Sequence, residues 1–114
     1  MYLRTTIAAT QTINVPAATG NSGGFNIFIG VTATGNKIIK SAGTTVIQGI
    51  AVMAGSTAGT FGTAVDTDTI TLNGSTTGGV IGTLIELRDV APNVYSVKVH
   101  SIGTGIQATC FSNT

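Results

Sequence analysis

The chain has no tryptophan, a single cysteine, a single histidine and only nine charged residues among 114. Each shortage removes a class of function. One thiol, Cys110, excludes an internal disulfide framework and a multi-thiolate metal site, so stability has to come from packing. One imidazole, His100, and four carboxylates are a thin supply for general acid–base chemistry, which needs titratable groups brought together. Charged residues make up 8% of the chain, against roughly 25% in an average soluble domain, so hydration falls to Thr, Ser and Asn. The five basic residues, Arg4, Lys37, Lys40, Arg88 and Lys98, are scattered along the sequence and form no nucleic-acid footprint. No run approaches the ~18 apolar residues of a membrane-spanning helix. The opening residues lack the basic-then-apolar order of a secretory signal. The expectation is a soluble protein made in a cytosol, with neither membrane nor nucleic acid as a partner.

Long-chain helix formers are also scarce, with four Leu, three Lys, two Arg and one Glu, whereas 21 Thr, 13 Ile and 10 Val are β-branched. β-branched side chains lose rotamer freedom in a helix and fit a pleated surface, and 16 Gly supply turns. Residues 5–15 alternate as one half-buried strand ended by Pro16, and 17–24 form a Gly-rich loop. Alternation returns with Phe25, Ile27, Ile29 and Val31 on one face. Gly35-Asn36 makes a turn before a short strand at 37–40, and 41–43 break it. Residues 44–54 are apolar on both faces, which predicts a central strand covered on both sides. A second Gly-rich loop, 55–64, is anchored by Phe61. A strand at 65–72 ends in the turn chemistry of Asn73-Gly74. Residues 80–88 and 94–102 form a hairpin, and 106–111 a last strand. The expected fold is one all-β domain over 1–114: a β-sandwich or jelly roll, with a closed barrel also open, of about eight mostly antiparallel strands. Gly-Thr pairs recur without a fixed period, so a solenoid is not supported.

Few groups invite chemistry. His100 and Cys110 are the available base and nucleophile, with Cys110 expected as a packed side chain. Asp66 and Asp68, on one face of a strand, are two oxygens toward a calcium site that needs about six to eight ligands. Glu86, Arg88 and Lys98 suit a cross-strand charge ladder on the outer face of the last hairpin. Thr67, Thr69 and Thr71 line one strand face in the manner of ice-binding β-proteins, as a single short array. No phosphate loop or dinucleotide fingerprint is present, and Asn73-Gly74-Ser75 reads as a turn rather than a glycosylation site. The expectation is a non-enzymatic protein, with no catalytic, cofactor-binding or metal residue assigned and no cofactor.

Low charge removes the repulsion that keeps monomers apart, and long β-branched runs invite strand pairing, so a homo-oligomer is expected. The order of parts in the C-terminal region points further. It runs Thr69-Ile70-Thr71-Leu72-Asn73-Gly74, a Gly-rich link, a strand from Thr83 to Arg88, Asn93-Val94-Tyr95-Ser96-Val97, Gly103-Thr104-Gly105, then Ala108-Thr109-Cys110-Phe111. Over roughly residues 65–112 this resembles the small decoration, or cement, proteins of tailed-bacteriophage capsids, with Tyr95 where a Trp would be expected. The resemblance implies a β-sandwich or jelly-roll subunit, usually trimeric, that binds the major capsid protein on the outer surface of the virion. Residues 2–15 and the loops 17–24 and 55–64 are then the candidate contacts. A tail-tube, fibre or head-fibre subunit, a carbohydrate- or ice-binding module and a hydrolase are the other classes the sequence leaves open.

Overall fold

The computed structural model describes residues 2–21 and 23–113, and they contain no helix. Ten strands are present: β1 (Tyr2–Thr5), β2 (Gln11–Val15), β3 (Gly24–Ile29), β4 (Lys37–Ser41), β5 (Val46–Ala54), β6 (Gly59–Gly62), β7 (Thr69–Leu72), β8 (Leu84–Ala91), β9 (Val94–Ile102) and β10 (Phe111–Ser112). They form a six-stranded sheet in the order β1-β3-β8-β9-β5-β6 and a four-stranded sheet in the order β10-β7-β4-β2. Both are mixed. β1 runs parallel to β3, β2 to β4 and β5 to β9, and the other pairs are antiparallel.

Period-2 alternation explains the core. Ile27 and Ile29 of β3, Ile85 and Leu87 of β8, Tyr95, Val97 and Val99 of β9, and Ile47, Ala51 and Met53 of β5 are buried from the larger sheet. They share one cluster with Val15, Ile39, Ile70, Leu72, Cys110 and Phe111 from the smaller sheet and its flank. Tyr95 carries the largest of the fully buried side chains. Its ring meets Phe25 edge-on at 6.0 Å, and its hydroxyl donates to the Pro16 carbonyl at 2.8 Å. The aromatic at this position thus spans the core and still satisfies its polar tip.

Several expectations hold and several need correction. The hairpin β8–β9 closes as expected, but its first strand runs Leu84–Ala91 rather than 80–88, so residues 80–83 lie outside it and the turn narrows to Pro92-Asn93, with Asn93 at φ +62 and a bulge between Asp89 and Ala91. Strand β4 falls where expected. The strand count is ten rather than about eight. The long N-terminal strand is two: β1 edges the larger sheet, β2 edges the smaller, and residues 6–10 cross between them. There the backbone turns to other partners, because the Ala8 carbonyl accepts from Thr34 and Gly35 N–H groups at 2.9 and 3.2 Å. The second Gly-rich loop contains β6, whose Phe61 packs on the core as expected of an anchor. The strand expected at 65–72 shortens to β7, leaving Val65 87% exposed in a turn, and that at 106–111 shortens to β10. Asn73-Gly74 does form a turn: Gly74 has φ +84, and Asn73 Oδ1 accepts from the Ser75 and Thr77 N–H groups. It leads from one sheet to the other rather than into a hairpin. The loop before β3 lies as expected over the described residues, while Ser22 falls outside them.

Strand β5 is the most consequential correction. It is central by pairing, with β9 on one side and β6 on the other, but its outward side chains Ile50 and Val52 are 51% and 47% exposed. Its second apolar face is uncovered.

Candidate functional site

Strand register assembles a surface that sequence order conceals. Residues paired across neighbouring strands share a face. One row therefore runs across all six strands of the larger sheet: Arg4, Phe28, Leu84, His100, Val52 and Thr60. The next row runs Tyr2, Asn26, Glu86, Lys98, Ile50 and Gly62, and Arg88 opposes Ser96 in a third. At ~4.8 Å per strand each full row spans about 24 Å. Three of the five basic residues and the only histidine lie on this face with a single carboxylate, Glu86. Beside them Ile50, Val52 and Ile102 are exposed.

The charge ladder expected of Glu86, Arg88 and Lys98 is thus placed as expected, on the outside of the β8–β9 hairpin with Glu86 opposite Lys98. These residues and Ser96 line a shallow depression of about 140 Å³. Arg4 and His100 were not part of that expectation. Their parity was a signal, since Arg4 neighbours the half-buried Leu3 and His100 the buried Val99 and Ser101. Strand order, which brings β1 and β9 into one sheet, had no signal.

The other candidates are not assembled. His100 faces outward while Cys110 is buried in the core, so they do not form a base–nucleophile pair. Burial pushes the Cys110 thiol up to about 12 from its ordinary value of 9.0. The folded thiol stays protonated where the unfolded one ionises. Its contribution to stability is full below about pH 9 and is lost as pH rises toward 12, by up to about 4 kcal/mol. We expect native protein to resist alkylation by iodoacetamide at pH 8 and to react once unfolded in urea. We also expect the stability difference between wild type and Cys110→Ala to move in favour of the variant above pH 9. Rapid native labelling would contradict the buried thiol.

Asp66 and Asp68 do not share a strand face. Asp66 sits in a turn and accepts from Asn113 Nδ2 at 2.9 Å, whereas Asp68 accepts from Thr69 Oγ1 at 2.8 Å. No group of three metal-ligating side chains occurs among the described residues. The threonine array is unsuited to ice, because Thr67 and Thr69 are each 2% exposed. Loop 17–24 is pinned by Asp89, whose carboxylate accepts from the Thr19 and Gly20 N–H groups at 2.9 and 2.7 Å. In the turn before β10, Gln107 is buried with its Oε1 lacking a hydrogen-bond partner among the described residues.

A second uncovered surface lies between edge strands β1 and β2. Leu3, Ile13, Val15, Pro16, Phe25 and Ile27 line an apolar cleft of about 300 Å³ there. Comparison with known proteins finds no match: no protein-family model, curated protein or solved structure matches this chain.

Proposed function

We propose that the chain is a virion structural protein, a capsid decoration protein that binds the outer surface of a phage head and stabilises it without catalysing a reaction. The observation that carries this reading is the pair of separate apolar surfaces left uncovered on a chain with so few charges. One is the cleft between β1 and β2; the other is the outer face of β5 and β9. A decoration subunit needs two such surfaces, one for its own copies and one for the lattice. Three linked copies that touch one lattice gain avidity without further contacts. In this reading β1 and β2, each the edge strand of its own sheet, serve the trimer. The two sheets are read as the layers of a sandwich of the jelly-roll kind, and the likeness of residues 65–112 to cement proteins supports the same assignment.

Co-sedimentation with stripped phage heads tests it, together with the mass of the free protein by light scattering. Binding to heads by a trimer is the expected result. No association with the heads of the phage whose genome carries the gene would overturn the reading. Tubes or filaments of purified protein in negative stain would favour a tail or fibre subunit.

A further inference from the structure

We infer that the outer face of the six-stranded sheet is a docking surface for an acidic protein surface bearing apolar side chains. The inference rests on the charges and exposure of this face and does not require the capsid reading. Arg4, Arg88 and Lys98 are exposed on it with only Glu86 as a carboxylate. The other side chains hold the opposite balance: Asp66, Asp68 and Asp89 against Lys40 and the enclosed Lys37. A chain with a formal charge of only +1 is therefore divided, with its cations gathered on one face.

Charge complementarity selects the occupant. Two copies pressed together by this face would bring the three cations of one against those of the other, and like charges in a contact are strongly disfavoured. A nucleic acid fits poorly as well. Glu86 stands directly opposite Lys98, in the path a phosphate backbone would follow between Lys98 and Arg4. Ile50, Val52 and Ile102, each 41–51% exposed, offer a phosphate chain no bonds and favour a partner that dehydrates them. Carboxylates around an apolar patch satisfy both parts of the face. Rim charges steer the encounter, and apolar burial holds the complex.

The test uses the full chain and an immobilised random copolymer of glutamate and tyrosine, with a 20-base-pair DNA duplex and phosphatidylserine vesicles as competing surfaces. Lys98→Glu and Lys40→Glu change net charge equally but on opposite sheets. We expect wild type to bind the copolymer, and Lys98→Glu to weaken binding at least fivefold while Lys40→Glu stays within twofold. Arg88→Glu is the second variant, should Lys98→Glu fail to fold by circular dichroism. Val52→Thr is expected to weaken binding at least threefold even in 0.5 M NaCl, where exposed charges are screened. Absence of copolymer binding at 100 μM protein, equal losses in the charge-matched pair, or tighter binding to DNA or vesicles would each overturn the inference.

Discussion

Replacing Lys37 with alanine is expected to destabilise the fold by about 4 kcal/mol or more, a large part of the roughly 5–15 kcal/mol available to a domain. Lys37 points inward from β4 beside Ile39, and its side chain is fully enclosed. Its ammonium donates to the Ile7 and Ala9 carbonyls and to Gln11 Oε1. Ile7 and Ala9 belong to the segment where the chain crosses from one sheet to the other, and Gln11 opens β2 just after it. Residues 6–10 lack strand partners, so the lysine supplies hydrogen bonds that a ladder would otherwise supply. An ammonium has three protons and here meets three acceptors. Removing it strips three acceptors in part-buried hydrogen bonds of their donor, at about 1 kcal/mol each, and adds the loss of three packed methylenes, since alanine keeps Cβ. Lys37→Met keeps most of the volume and is expected to lose roughly half as much, since only the polar part of the loss remains. Lys40→Ala, on the outward face of the same strand, should cost less than about 1 kcal/mol. Urea denaturation of the three variants checks the order. A Lys37→Ala variant within 1 kcal/mol of wild type would show that the crossover holds itself.

The pH dependence follows from the same site. Desolvation lowers the Lys37 pKa from its ordinary 10.5, so the folded chain releases this proton before the unfolded chain does. Between the folded value and 10.5 the unfolded state holds more protons, and stability rises with pH. The Cys110 contribution runs the other way and begins near pH 9. In Cys110→Ala the lysine effect stands alone, and in Lys37→Met it vanishes.

How much of this was legible depended on whether the signal was local. The β8–β9 hairpin and β4 could be read because alternation and turn residues lie within a few positions of one another. The crossover at 6–10 could not, because Ile7 and Ala9 keep the period of a strand with no Gly or Pro to mark the break. The residues that end the strand, Thr34, Gly35 and Lys37, lie some 25 to 30 positions away. Strand β6 was hidden by glycines, which weaken a strand yet are tolerated at the edge of a sheet. The uncovered face of β5 was misread for a related reason. Ile50 and Val52 look like core residues, and only the absence of a third layer over the sheet exposes them. Lys98 and Arg88 announce an outward face by alternating with Val97, Val99 and Leu87, but their meeting with Arg4 depends on β1 pairing with β3 in parallel.

The second large effect is expected at Gly49, where alanine should cost about 3 kcal/mol or more. Gly49 lies within β5, level with Val97 of β9 in the parallel pair of nine residues that joins Val46–Ala54 to Val94–Ile102. A Cβ built there would lie 1.9 Å from the Val97 carbonyl oxygen and 2.9 Å from its carbon. Both are backbone atoms, so no side chain can swing away, and relief requires β5 and β9 to separate. The backbone at φ +158 adds to the cost for any residue with a Cβ. On the other side of the strand the Gly49 N–H donates to Thr63 Oγ1 at 3.0 Å, and its carbonyl accepts from the Thr63 N–H at 3.1 Å. Shifting Gly49 away from Val97 therefore also disturbs the entry to β6. Gly62 is the matched control, because it lies in β6, has open space around a built Cβ and has no left-handed φ. Gly62→Ala is expected to be neutral or stabilising by about 0.5 kcal/mol, since alanine reduces the freedom of the unfolded chain. Equal melting temperatures for Gly49→Ala and Gly62→Ala would refute the close approach. Because Ile50 and Val52 follow directly, a folded Gly49→Ala should also displace the apolar half of the docking face relative to Lys98 and His100. It is then expected to bind the acidic copolymer more weakly than wild type, although the substitution touches no charge.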